Sequence, residues 1–168
     1  MTNVCVSCHG QAFADGHFHQ FDATVRLYNE KFAKPATELM NLVRSRDLLE
    51  KKASFSNDIE RIYWEIWHHE GRRARHGVSM MAPDYTHWHG LYEVAKHWYS
   101  KFIPELREIA AHHLESDDPA KVAGAKALDA AVDELLARPE HAWYLGQLPA
   151  DELERRKQAQ EEFRSRYE

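Results

Sequence analysis

The chain is 168 residues long, 43% hydrophobic, and carries a formal net charge of −5. That length suits one domain with a buried core, the acidic balance argues against a nucleic-acid partner, and no apolar run is long enough to span a bilayer. The unusual features are the 12 histidines and 5 tryptophans, histidine being the commonest metal-ligating side chain.

The N-terminal segment holds the most specific motif, Cys5-Val6-Ser7-Cys8-His9, which uses every cysteine in the chain. The C-x-x-C-H pattern is that of c-type haem attachment. Each thiol can form a thioether to a haem vinyl group, and His9 then reaches the iron as the proximal ligand. A redox C-x-x-C would sit in a strand–helix context that is not evident here, and a zinc site would need two further ligands, which histidines can supply. Covalent haem attachment belongs to an oxidising, extracytoplasmic compartment, yet no secretory signal precedes the motif. Four residues ahead of Cys5 cannot wall a haem on that side. Met1 is therefore expected to be internal to a longer exported protein.

Downstream, the pattern is helical almost throughout. Phe21, Val25, Tyr28, Phe32, Pro35, Leu39 and Leu42 follow alternating steps of four and three, the seam of a coiled-coil-like helix. Pro35 should kink or join it, and the helix is expected to end near Lys52. Asn57 with Glu60 has the spacing of a capping box. The next helix carries Ile59, Tyr63, Ile66 and Trp67 to about Glu70, with Gly71 as its stop. Residues 77–83 read as a loop. A third helix places Trp88, Leu91, Ala95, Trp98, Phe102, Leu106 and Ile109 on one face, interrupted at Pro104. Asp118-Pro119 reads as an N-cap and first-turn proline for an alanine-rich helix with Val122, Leu128, Val132 and Leu135 inward. Pro149 opens a charged final helix, 151–168. No strand-period segment or internal repeat is present. The predicted fold is all-α: a multihaem cytochrome c segment at 1–20, the end of a truncated haem domain, then a bundle of long helices over 21–168.

Residues 68–90 concentrate five histidines, three arginines, two methionines and a tyrosine. Arg72 and Arg73 suit pairing with haem propionates, since guanidinium matches a carboxylate bidentately. The histidines, or Met80 or Met81, suit distal ligation. Taken singly, each has an ordinary explanation as surface or core. Their density beside a haem motif is the argument that at least two histidines are ligands.

Cys5-Val6-Ser7-Cys8-His9-Gly10, the run Leu27-Tyr28-Asn29-Glu30-Lys31-Phe32-Ala33-Lys34-Pro35-Ala36, the segment His68–His76 and Met80-Met81-Ala82-Pro83-Asp84-Tyr85-Thr86-His87-Trp88-His89-Gly90 together resemble the C-terminal part of the octahaem hydroxylamine oxidoreductases, over roughly Cys5 to Phe102. The resemblance implies a periplasmic or equivalent location, several haem c groups in the full-length protein and one attached in this chain. It also implies a homotrimer built on long C-terminal helices, oxidation of hydroxylamine or hydrazine, and a cytochrome c-type electron acceptor. It implies that Tyr85 cross-links to a catalytic haem of the neighbouring subunit, that Cys5, Cys8 and His9 hold the last haem, and that His76, His89 and one of His68 or His69 are distal ligands. Asp84 or a histidine is a candidate acceptor of substrate protons. The departure is that one haem motif stands where that family has eight, so the isolated chain should be inactive. An octahaem nitrite or nitrogen-oxide reductase on the same scaffold, or a small monohaem electron carrier, are the alternatives.

Overall fold

The computed structural model describes residues 2–166. Met1, expected to be an internal methionine, and the expected end of the last helix at Glu168 lie outside them. The chain divides into two compact units, residues 1–132 and 133–168. The described residues are almost all helical and contain no strand, as the patterning predicts.

In the first unit a single helical turn, Thr2–Cys5, precedes three long helices. We label these α1 (11–45), α2 (58–79) and α3 (83–114). Each is continuous, but each contains wider π-helical turns: Asn29–Ala33 in α1, Glu65–Glu70 in α2, and His87–Leu91 and Trp98–Phe102 in α3. These turns explain why the expected interruptions at Pro35 and Pro104 do not occur. In an α-helix a proline ring strikes the carbonyl four residues back and leaves it without a donor. Here the turn before each proline is widened: Lys34 N–H bonds to the Asn29 carbonyl and Ile103 N–H to the Trp98 carbonyl, each five residues back. The helix passes through both prolines.

Gly71 is likewise not a helix stop. It lies inside α2, where its N–H reaches the Ile66 carbonyl. A β-carbon there would stand 2.2 Å from the Tyr28 hydroxyl oxygen, so this glycine serves close approach of α1 to α2. Gly90 does the same between α2 and α3, where a β-carbon would stand 2.5 Å from Ala74 Cα.

Helix ends follow local chemistry. α1 stops at Ser45 rather than near Lys52. Asp47 takes φ 55°, Asp47 N–H bonds to the Arg44 carbonyl and Leu48 N–H to the Val43 carbonyl at 3.1 Å, a Schellman ending. α2 ends in the same way. Met81 takes φ 54° and Ala82 N–H bonds to the Gly77 carbonyl at 2.9 Å. The connection to α3 is thus a turn at 80–82, tighter than the expected loop. Asn57 and Glu60 form the predicted capping box of α2. The Asn57 side chain also exchanges two hydrogen bonds with the Glu50 backbone, fixing the 46–57 connection.

The core lies where these helices meet. Tyr28, Phe32, Leu39 and Met40 of α1, Ile59 and Ile66 of α2, and Trp98, Phe102 and Leu106 of α3 are buried. Trp98 contacts Phe102 and meets Phe32 edge-on at a ring separation of 5.5 Å. Each such side chain contributes roughly 1.5–3 kcal/mol by leaving water. The inward face of α3 departs from the expected one on either side of Trp98: Gly90, Val94 and Ala110 are buried, while Leu91, Ala95 and Ile109 are partly exposed. A π turn holds one residue more than an α turn, so a seam counted at 3.6 residues slips by one across it.

α4 (Pro119–Leu136) begins as predicted, with Asp118 accepting a hydrogen bond from Ala120 N–H at 2.9 Å. In the second unit, α5 (Ala150–Ser165) buries no residue and is polar on most faces, as expected. No helix among the described residues is long and apolar enough to cross a membrane.

Candidate functional site

The tight hairpin of α2 and α3 brings most of the residues singled out in 68–90 to one place. His68, His69, Arg72, Arg73, His76 and Tyr85 line a single cleft of about 270 Å³. The reason is partly helical spacing: residues 68, 72 and 76, and 69 and 73, lie one turn apart on α2. Tyr85 enters from α3, because the 80–82 turn folds it back. His89, one turn beyond, has its ring 5.3 Å from the Tyr85 ring. Tyr85, His89 and Asp84 are exposed. Asp84 and His89 do not line the cleft itself.

Inside the cleft the arginines sit on the histidines. Arg72 Nη1 is 3.4 Å from His68 Nε2, and Arg73 Nη2 is 3.2 Å from His69 Nε2. Guanidinium has donors only, so each imidazole Nε2 is here an acceptor. A metal would compete with the arginine for the same lone pair. The two histidines differ in what stands behind them. His68 is stacked on Trp64, with ring centroids 4.6 Å apart, and its Nδ1 is buried without a partner. His69 Nδ1 lies 3.7 Å from Glu70 Oε1. A carboxylate hydrogen-bonded to the remote nitrogen is what orients a ligating imidazole; at 3.7 Å Glu70 stands beside His69 without making that bond.

Glu70 is a residue that the sequence patterning overlooked. It is 4% exposed, its Oε1 lies 3.2 Å from His97 Nδ1, and its Oε2 has no partner. The signal was present: Ile66, Glu70 and Ala74 form a buried row at four-residue spacing, and a carboxylate in such a row is costly unless paired. Tyr28 is the second overlooked polar group. Its hydroxyl donates to the Ile66 carbonyl at 3.2 Å, and burial pushes its pKa up to about 12, against the opposing pull of Arg75. The Arg75 guanidinium lies over the Tyr28 ring at 4.9 Å.

The Cys5-x-x-Cys8-His9 segment is separate from the cleft. Cys5 ends the helical turn 2–5, and Cys8 N–H and His9 N–H both bond to the Cys5 carbonyl. This short turn presents both thiols on one loop. Both are free, Cys5 partly exposed and Cys8 exposed. The His9 ring stacks on Phe13, centroids 4.4 Å apart. Phe13 in turn lines a second, larger and mostly apolar recess of about 890 Å³ between the start of α1 and the 78–91 segment. Two accessible thiols, an unengaged imidazole nitrogen set and an adjoining apolar recess fit covalent haem attachment. Among the described residues, no three His, Cys, Asp or Glu side chains are arranged to hold a bare metal ion. A haem iron needs only axial ligands from the protein. No known family, curated protein or solved structure matches the chain.

Proposed function

We propose that this chain is the C-terminal portion of a multihaem c-type cytochrome that oxidises hydroxylamine or hydrazine and passes the electrons along a haem chain to a cytochrome c-type acceptor outside the cytoplasm. The observation that carries the reading is Cys5-x-x-Cys8-His9 with both thiols free and accessible. Haem supplies one-electron redox chemistry; the roles of this chain's residues follow from their chemistry. Cys5 and Cys8 would hold the haem through thioethers, each thiol adding its sulfur and hydrogen across one vinyl group, so that attachment would consume no oxidant. His9 would ligate the iron. Arg72 and Arg73 offer donors to propionates, and His76, His89 and one of His68 or His69 offer imidazoles as distal ligands. Tyr85 is exposed enough to reach a neighbouring copy in a homotrimer, and Asp84 beside it can accept a substrate proton. At about 270 Å³ the cleft is below the usual range for a ligand-sized pocket, which suits a tyrosine that reaches outward rather than a macrocycle held inside.

A second reading, a small monohaem electron carrier, is favoured by the apolar recess beside the motif, which gives this chain a haem wall of its own. Denatured intact mass and peptide mapping of the natively isolated polypeptide decide between them. The proposal expects a long chain with many haems and a Tyr85 peptide joined to a haem peptide. One haem with an unmodified Tyr85 would leave the carrier, and unmodified cysteines would sink both.

A further inference from the structure

The recess beside the haem motif has two facing walls. One is the start of α1, with Phe13, Gly16 and His17; the other is the α2–α3 turn and the first turns of α3, with Met81, Pro83 and His87. Its glycine differs in kind from those at the helix crossings. A β-carbon on Gly71 or Gly90 would strike a neighbour, whereas one on Gly16 would meet nothing within 4 Å. Glycine inside a helix costs about 1 kcal/mol relative to alanine. No packed neighbour asks for it at position 16, and its effect is to keep the wall low. The recess is mostly apolar, within the range of small-molecule and cofactor sites, and His9 stacks on one of its lining rings.

We propose that this recess is the seat of the haem bound by Cys5 and Cys8, and that His87 is its second axial ligand. The proposal rests on reading Cys5-x-x-Cys8-His9 as a c-type motif. Axial ligands approach an iron from opposite faces of the macrocycle. His17 and His19 also line the recess, but they hang from α1, the helix whose Phe13 carries the His9 ring against it. His87 comes from the facing wall. It is exposed, with its ring edge-on to Trp88, so its imidazole is not locked into the core. It also stands on the π turn His87–Leu91, a feature frequent at functional positions. The histidines of the cleft, His68, His69 and His76, do not line the recess and are left for other groups.

The test uses the full chain matured with haem in an extracytoplasmic host, read by mass and by optical and EPR spectra. Wild type is expected to carry one covalent haem with a six-coordinate low-spin spectrum. His87→Ala should keep the covalent haem but turn it high-spin, with added imidazole restoring the low-spin form; His112→Ala, outside the recess, should leave the spectrum unchanged. Gly16→Leu, which fills the recess without touching the motif, should lower covalent loading several-fold at unchanged helical content. If haem attaches and His87→Ala stays low-spin, the ligand assignment is overturned while the motif reading stands. Unchanged loading in Gly16→Leu overturns the seat. A wild-type chain that emerges with both thiols unmodified overturns the motif reading and the proposal together.

Discussion

The α2–α3 hairpin makes two recesses with opposite chemistry. On one side Val78, Met81, Pro83 and Leu91 contribute to an apolar space of about 890 Å³; on the other, Arg72, Arg73 and three histidines make a cationic cleft of about 270 Å³. The difference arises from what flanks the hairpin as well as from its own side chains: the start of α1 walls the larger recess, whereas the cleft is lined by α2 and α3 alone. It teaches that the hairpin is suited to hold a flat apolar body on one face and to receive anionic groups on the other.

The comparison can be broken most forcefully at the crossing. Gly90→Val places a branched side chain against the Ala74 backbone, and overpacking of this kind costs about 3 kcal/mol. Urea unfolding should show that loss, and both recesses should be lost with it. A wild-type midpoint would mean the helices do not cross so closely. Tyr28→Phe probes the buried support of the hairpin. Because the folded tyrosine ionises only near pH 12 rather than 10, its contribution is complete below about pH 10 and is lost as pH rises through about 12. The wild type should lose about 2–3 kcal/mol across that window. The variant should lack this slope, at a neutral-pH cost of about 1 kcal/mol for the hydrogen bond to Ile66. Matching alkaline titrations for the two proteins would rule the assignment out.

Two smaller effects sharpen the contrast. Replacing Arg72 and Arg73 together by glutamine should weaken binding of a dicarboxylate such as glutarate about tenfold, since solvent-accessible ion pairs of this type are each worth only about 0.7 kcal/mol. Calorimetry at low salt measures it, and an unchanged affinity would show that the two guanidinium groups do not act on the anion. Met81→Gly relieves a non-glycine residue at positive φ and should stabilise the protein by about 0.5–1 kcal/mol. A destabilised variant would show that the Met81 side chain, in the wall of the larger recess, contributes more by packing than its backbone costs.

Much of the fold was legible because its signals are local. The Asn57–Glu60 cap, the Asp118-Pro119 start and the polar final helix depend on neighbours in sequence. So does the middle of the core, where Tyr28, Phe32, Leu39, Trp98 and Phe102 keep the expected spacing. What periodicity missed has two physical causes. Pro35, Pro104 and Gly71 read as helix breakers, but π turns absorb the prolines, and a crossing rather than an ending requires the glycine. The same turns displaced the α3 seam from Leu91 and Ala95 to Gly90 and Val94. The cleft was largely legible, since helical spacing alone puts 68, 72 and 76 on one side. Its convergence with Tyr85 was not, because that depends on a three-residue turn held by Met81 at positive φ. Glu70 and His97 were overlooked because each carries a polar side chain at a core position of the pattern. His87, one of a run of histidines, could be separated from His89 only by its place in the lining of the larger recess, which His89 does not share.

The π turns also bear on how related chains would compare with this one. Each is a helix carrying one residue more than its α-helical equivalent while both flanks keep their partners. Losing that residue would let the bulge relax to regular helix with little change to the rest. Two chains differing in this way would show a single-residue gap in the middle of a helix, where gaps are ordinarily penalised. At Glu65–Glu70 that gap would fall inside the turn that carries His68, His69 and Glu70, so an ungapped alignment would pair the residues on one side of it with the wrong counterparts.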